Sequence, residues 1–268
     1  MRVKLYSNTW WHKPAAAIIF FTRLPLYKLC NPPKEAYRHV VEFWPLAGWI
    51  TGLLSALIFV LASQIMPIPI AILIALAFRM LLTGALHEDG LADFFDAFGA
   101  SSDRQKILDI MKDSRIGTYG VLALITYFLL LLCSLNSLPL DLAALTIAAA
   151  DPFSKMIAAE IIMFLPYARN ESEAKNGVVY AKMNLKASIL LAIQGLIPFA
   201  AFCYALSYHE IPFDFLIFVP CLVMYILYLI IWKRIKGYTG DCCGAIFLLV
   251  ELSFILTVSA LYTFYHID

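Results

Sequence analysis

Hydrophobic residues in this chain come in long, nearly unbroken runs rather than in the short periodic clusters of amphipathic elements. A helix rising about 1.5 Å per residue needs roughly 20 residues to cross a bilayer. Runs that reach or approach this length lie at 43–63, 67–86, 117–136, 141–165, 187–207, 211–232 and 243–264. A further run, 15–22, is too short to span and ends in Thr22-Arg23-Leu24-Pro25. It predicts a short N-terminal interfacial or re-entrant helix. The pattern as a whole predicts an all-α fold: a polytopic transmembrane helix bundle of about seven spans, forming one integral membrane domain over residues 1–268.

The polar segments between the runs alternate in charge. Segment 1–42 holds Arg2, Lys4, Lys13, Arg23, Lys28, Lys34 and Arg38. Segment 87–116 holds Arg104, Lys106, Lys112 and Arg115, segment 166–186 holds Arg169, Lys175, Lys182 and Lys186, and segment 233–242 holds Lys233, Arg234 and Lys236. The connections near 64–66, 137–140 and 208–210, and the tail after 264, hold no Lys or Arg. Basic loops face the cytoplasm, so seven spans with a cytoplasmic N-terminus reproduce the alternation and eight would break it. The opening stretch is not expected to be a signal peptide, because Trp10-Trp11-His12-Lys13-Pro14 interrupts any apolar core.

Composition agrees with the pattern. Hydrophobic residues make up 62% of the 268 and charged residues 15%, whereas soluble domains are nearer half apolar and a quarter charged. Membrane lipid is therefore an obligatory partner. A net charge of +1 offers no basic field for nucleic acid. Cys30, Cys133, Cys203, Cys221, Cys242 and Cys243 show no zinc or CxxC spacing and read as small buried hydrophobes. Whether the protein forms a homo-oligomer is left open.

The densest chemical signal is His87-Glu88-Asp89-Gly90-Leu91-Ala92-Asp93-Phe94-Phe95-Asp96, at the end of an apolar run. At about 100° per helical residue, Asp93 lies about 40° from Asp89 and Asp96 about 20° to the other side, so the three form one narrow acidic stripe. Like charges at this spacing repel unless a cation sits among them, and carboxylate oxygens suit Mg²⁺ or Mn²⁺. No Lys or Arg falls between Arg79 and Arg104 to make the stripe an ordinary mixed-charge solvated face. Glu88, about 100° away, faces a second ion or the solvent. His87 is either a proton acceptor or an interfacial hydrogen-bonding residue.

Two further segments carry polar chemistry. In Lys112-Asp113-Ser114-Arg115-Ile116-Gly117-Thr118-Tyr119-Gly120, Lys112 and Arg115 suit phosphate oxygens, and Ser114 with the first amides of the next helix suits an anion. A basic membrane anchor with a Ser cap fits the same residues equally well. In Gly237-Tyr238-Thr239-Gly240-Asp241-Cys242-Cys243-Gly244, Asp241 by itself reads as a helix cap. Thr239-Gly240-Asp241 faintly echoes Thr83-Gly84 before Glu88-Asp89. Within the runs, Arg79, Asp151, Lys155, Glu160, Asp214 and Glu251 are expected to face the protein interior. Asp151 and Lys155 are spaced to pair, and Glu251 needs Lys155 or Arg79.

The runs Thr83–Asp93 and Met111–Gly120 resemble the cobalamin synthase (adenosylcobinamide-GDP ribazoletransferase) family, as do Phe21–Pro25, Leu165-Pro166-Tyr167-Ala168-Arg169 and Gly237–Cys242 in the same order, together covering about 20–250. Ala97 and Ala100-Ser101-Ser102 depart from the glycines expected there. The resemblance implies a Mg²⁺-dependent enzyme of the cytoplasmic (inner) membrane, its active site on the cytoplasmic side. It implies that α-ribazole or its 5′-phosphate is joined to adenosylcobinamide-GDP, releasing GMP and forming adenosylcobalamin or its 5′-phosphate. It implies Asp89, Asp93 and Asp96, with Glu88 second, as catalytic metal ligands and His87 as a catalytic residue beside them, Lys112, Ser114 and Arg115 as substrate contacts, and Asp241 as a ligand or substrate contact from the other side. A CDP-alcohol phosphotransferase would carry Ala-Arg after Asp-Gly, where this chain has Leu91-Ala92-Asp93. A cation-coupled transporter would set its acids at mid-membrane in broken helices, whereas these lie at a boundary.

Overall fold

The computed structural model describes residues 9–169, 179–207, 212 and 214–266. Arg2, Lys4, Lys175, the connection 208–210 and the last two residues, 267–268, lie outside them. Among the described residues there is no β-strand; the helices are α1 (His12–Phe21), α2 (Trp44–Ser63), α3 (Ile68–Thr83), α4 (Leu86–Ala100), α5 (Arg104–Ile110), α6 (Thr118–Asn136), α7 (Leu140–Ala159), α8 (Ile161–Phe164), α9 (Leu185–Leu206), α10 (Asp214–Ile235) and α11 (Gly240–Tyr265). Tighter 3₁₀ segments, Pro25–Lys28 and Lys34–Phe43, join α1 to α2.

Among the described residues, 6 helices are long and apolar enough to cross a membrane, and up to 7 if the bent pair α3–α4 is one span. The polytopic all-α bundle expected from the hydrophobic runs is therefore what forms. α1, at 10 residues, is too short to cross. It lies against Lys34–Phe43, where Lys13 meets Glu42 at 2.9 Å. α7 and α11 form the centre, with 72% of each apolar window buried against 28% for α6 and α10. The outer helices expose Leu122, Ile125, Ile193, Ile197, Phe218 and Tyr225, which only lipid can cover. Cysteines divide accordingly: Cys242 and Cys243 are buried in α11, but Cys133 and Cys221 are exposed on α6 and α10, contrary to the expectation that all are buried. A sulfhydryl tolerates an apolar outer face as well as a core.

The run 67–86 does not end as one straight span. Gly84 (φ 71°) and Ala85 (φ 56°) both take left-handed backbone, which terminates α3, and α4 leaves at 92°. Such a conformation is free for glycine and costly for alanine. The acidic sequence thus belongs to a separate helix lying across the end of the bundle. Segments 84–117, 165–169, 179–184 and 236–239 gather at this same end. Arg104 of α5 bonds the carbonyls of Ala168 (2.7 Å) and Ile235 (3.0 Å), and Ala181 N–H bonds Arg38 O (2.8 Å). At the other end Ser137 meets Ser259 at 2.7 Å.

Of the six charges within the runs, Arg79, Asp151, Lys155 and Glu251 are buried and paired, Glu160 is half-buried, and Asp214, expected to face the interior, is exposed at the first residue of α10, where water can reach it. Glu251, 1% exposed, accepts from Arg79 at 2.5 Å and from the Tyr127 hydroxyl at 3.0 Å. Arg79 also donates to Tyr127 at 2.9 Å and approaches Glu88 at 4.0 Å. This resolves the choice of partner for Glu251 in favour of Arg79. Asp151 pairs with Lys155 at 2.5 Å, as their spacing predicts, and accepts from Thr51 at 2.7 Å. Lys155 also lies over the Phe247 ring. These pairs tie α3, α6 and α11 together, and α2 to α7.

Breaking such a pair strands a buried charge, while replacing both members with apolar residues of similar size does not. Arg79→Met is expected to lower stability by about 3–5 kcal/mol, and the double variant Arg79→Met/Glu251→Met to recover most of it. Thermal unfolding of the purified protein in detergent measures both; a double variant no more stable than the single one would refute the pairing.

Candidate active site

The site is built where α4 crosses α11. Gly90 on α4 faces Asp241, whose carbonyl oxygen lies 3.0 Å and whose Cα lies 3.1 Å from where a Cβ would stand. Gly244 on α11 faces the backbone of His87 in the same way, at 3.2 Å from its carbonyl oxygen. Two glycines that meet face to face let the helix backbones approach closely. The contact brings residues about 150 positions apart in sequence into one cluster. Oxygens of Asp89, Asp93 and Asp241 lie within 4.8 Å of one another.

Asp241 is not the cap of α11. Thr239 fills that role, its hydroxyl accepting from Cys242 N–H at 3.2 Å. Asp241 is thereby released to face α4 while its charge is favoured by the positive end of α11. Asp89 is exposed, Asp93 half-buried and Asp241 buried, so the cluster has one open side.

The rest of the acidic stripe goes elsewhere. Asp96 accepts from Gly117 N–H at 2.7 Å and from Gly120 N–H at 2.9 Å. It caps α6 from across the fold. Two of the first amides of α6, which sequence offered together with Ser114 to an anion, are occupied by this carboxylate. Ser114 is exposed. Glu88 is buried, 4.0 Å from Arg79, and does not face solvent. The three-carboxylate stripe does lie on one helix, but Asp89 and Asp93 meet α11 while Asp96 goes to the start of α6.

His87 is buried in an aromatic box. Its ring lies 5.8 Å from Trp44 and 6.2 Å from Phe21, both stacked, and 4.7 Å from Phe247 edge-on. Its Nε2 has no hydrogen-bond partner among the described residues. His87 lines a cavity of about 110 Å³ together with Asp89, Asp241, Trp44, Tyr180 and Arg169. This is smaller than the few hundred Å³ of a usual ligand pocket.

A second cavity of about 340 Å³ adjoins the first and shares Tyr167 and Arg169 with it. Lys112 lines this second cavity with Arg104. Arg115 lines neither. It is exposed and grips its neighbour Asp113 with bonds of 2.6 to 3.1 Å, holding that carboxyl down to about 2. Sequence reading did not assign Arg169, Arg104 or Tyr180 to the site. The Leu165–Arg169 segment was a usable signal: Tyr167 and Tyr238 pair through Ala168 N–H to Tyr238 O and Tyr238 N–H to Pro166 O, both 2.9 Å. This bridge ties that segment to the Gly237–Cys242 turn. For Tyr180 no local signal exists.

Comparison with known proteins bears on what this cluster is. The family model described as Cobalamin-5-phosphate synthase matches residues 13–259. The chain belongs to that family. Relatives named adenosylcobinamide-GDP ribazoletransferase include one from Vibrio parahaemolyticus, 36% identical over 92% of this chain and 91% of its own. Another, from Leptospira interrogans, is 33% identical over 93% and 95%, and one from Shewanella baltica is 33% identical over 88% and 90%. No solved structure matches. Family membership agrees with the resemblance carried by the acidic and basic motifs and removes the CDP-alcohol and transporter readings.

The capping role of Asp96 separates it from Asp93 experimentally. Asp96→Asn keeps one acceptor but turns an amide toward a backbone N–H, so one charge-assisted bond is lost. A stability decrease of about 1–2 kcal/mol is expected, of equal size with and without Mg²⁺. A decrease that appears only in the presence of Mg²⁺ would make Asp96 a metal ligand instead.

Proposed function

We propose that this chain is an adenosylcobinamide-GDP ribazoletransferase, joining α-ribazole or its 5′-phosphate to adenosylcobinamide-GDP with release of GMP. The names of its relatives support the reading, and the meeting of Asp89, Asp93 and Asp241 beside a cavity is the observation that carries it. In the reaction a ribazole hydroxyl oxygen bonds to the cobinamide-linked phosphorus. The bond from that phosphorus to the bridging oxygen breaks, GMP leaves with that oxygen, and the hydroxyl proton is lost. The task of the protein is chiefly to position the two partners and offset the charge of the diphosphate.

The three carboxylates fit a divalent cation by donor type, since all offer hard oxygens. They fit it also by mutual repulsion, which a shared cation relieves. Mg²⁺ held there supplies the positive charge that neutralises diphosphate oxygens. Asp89, Asp93 and Asp241 are the ligands in this reading. Glu88 and Asp96, expected as ligands, instead position α4 through Arg79 and through the start of α6. Arg169 and Lys112 orient phosphate oxygens, and the aromatic box around His87 excludes water from the cavity floor. Charge alternation of the loops supports a cytoplasmic site in the inner membrane, with residue 268 outside.

Two measurements test this. Mg²⁺ is expected to raise the unfolding temperature of the wild type. Asp93→Asn and Asp241→Asn should lose both that response and turnover, and without Mg²⁺ should be as stable as wild type or slightly more so, because repulsion is relieved. Full activity in Asp93→Asn, or a wild type indifferent to Mg²⁺ in both assays, would end the metal reading. For sidedness, a reporter fused after residue 268 that works only in the cytoplasm should stay silent; a strong signal would sink the seven-span topology.

A further inference from the structure

The second cavity has a chemistry of its own. It holds about 340 Å³ and is lined by Arg104, Gln105, Leu108, Asp109, Lys112 and the Tyr167–Arg169 backbone and side chains. Among the described residues its one carboxylate, Asp109, accepts from Gln105 at 3.0 Å. Its two guanidinium groups are held by main-chain carbonyls: Arg104 by Ile235 O and Ala168 O, Arg169 by Leu108 O at 2.9 Å. Carbonyls orient a guanidinium without neutralising it. Arg169 Nε is buried and has no partner among the described residues, although a buried donor of this kind is rarely left unpaired. Among the described residues the arginines are thus fixed in place with no carboxylate on them and one donor to spare, which is the arrangement that recognises phosphate.

Position matters as much as charge. Arg169 and Tyr167 form the wall between this cavity and the one holding Asp89 and Asp241. A phosphate here stands beside the reacting centre but is not the group gathered by the carboxylates, which repel anions unless a cation is present. We infer that the Arg104–Lys112–Arg169 cavity is a second anion site that holds a substrate phosphate other than the one undergoing attack. This rests on the proposed ribazoletransferase activity. Two sources offer that chemistry: the 5′-phosphate of ribazole phosphate, and the phosphate retained by the departing GMP.

The test uses the purified full-length protein and Arg169→Gln, with Arg169→Lys as the charge-retaining control and Lys112→Gln as an independent probe of the same cavity. Binding of GMP and of α-ribazole 5′-phosphate is measured by calorimetry without Mg²⁺, so that the carboxylate cluster contributes nothing favourable. At least one ligand should bind tenfold or more weakly to Arg169→Gln and Lys112→Gln, with Arg169→Lys in between. Steady-state kinetics then separates the sources. If the site reads the acceptor, KM rises for α-ribazole 5′-phosphate and not for α-ribazole. If it reads the nucleotide, KM for adenosylcobinamide-GDP rises with either acceptor. Unchanged binding and KM in both glutamine variants would overturn the inference. A wild type that turns over neither acceptor but binds these phosphates through Arg169 and Lys112 would refute the proposed activity and leave the anion site standing. Should Arg169→Gln fail to fold, Lys112→Gln alone decides, and its unchanged binding overturns the site.

Discussion

The close crossing of α4 and α11 is the constraint on which the site depends. Gly90 and Gly244 let two backbones meet so closely that a side chain at either position would press on the facing backbone at 3.0 to 3.2 Å. Within lipid there is little hydrophobic gain in pressing one apolar helix on another, so close backbone contact and hydrogen bonding must do more of the work. Here the contact also has a chemical result. It sets the carboxylate of one helix start against the acidic face of another, which neither helix supplies alone. The repulsion thus built in must be sustained by the packing around it.

That packing is polar as well as apolar. Arg79 stands under the crossing and faces both partners: Glu251 belongs to α11, and Glu88 to α4. A charge at such depth is costly and is retained where it meets partners. The same residue that keeps Glu251 paired therefore draws the acidic helix against the core. On the other side, Asp96 links α4 to α6 by accepting from Gly117 and Gly120. Two carboxylates of the acidic motif hold the helix in place, and the two that remain on it, Asp89 and Asp93, meet Asp241. The left-handed turn at Gly84 and Ala85 belongs to the same design, since only a helix lying across the bundle can reach all three neighbours.

Much of this was legible in the order of residues. Length and hydropathy of the runs determine which segments cross lipid, because a backbone inside a bilayer must satisfy its own hydrogen bonds and a helix does so locally. The i, i+4 spacing of Asp151 and Lys155 determines their pairing for the same reason. The density of Asp and Glu between 87 and 96, with no cation among them, marks the region of chemistry whatever the packing. The family resemblance is likewise carried by local runs in fixed order.

What sequence could not apportion was which carboxylate does what. Glu88, Asp89, Asp93 and Asp96 share one helix and one side-chain chemistry; they differ only in what is packed against them. Arg79, Asp241 and the amides of α6 reach them from segments far away in the chain, and helical periodicity says nothing about such neighbours. The same holds for Thr239, which took the cap and so released Asp241, and for Arg169, whose role follows from a backbone bridge between Tyr167 and Tyr238. Local pattern determined the helices and the place of the acidic cluster; the grouping of Asp89, Asp93 and Asp241, the caps and the second cavity were decided by tertiary contacts, because each depends on a partner that only the fold brings close.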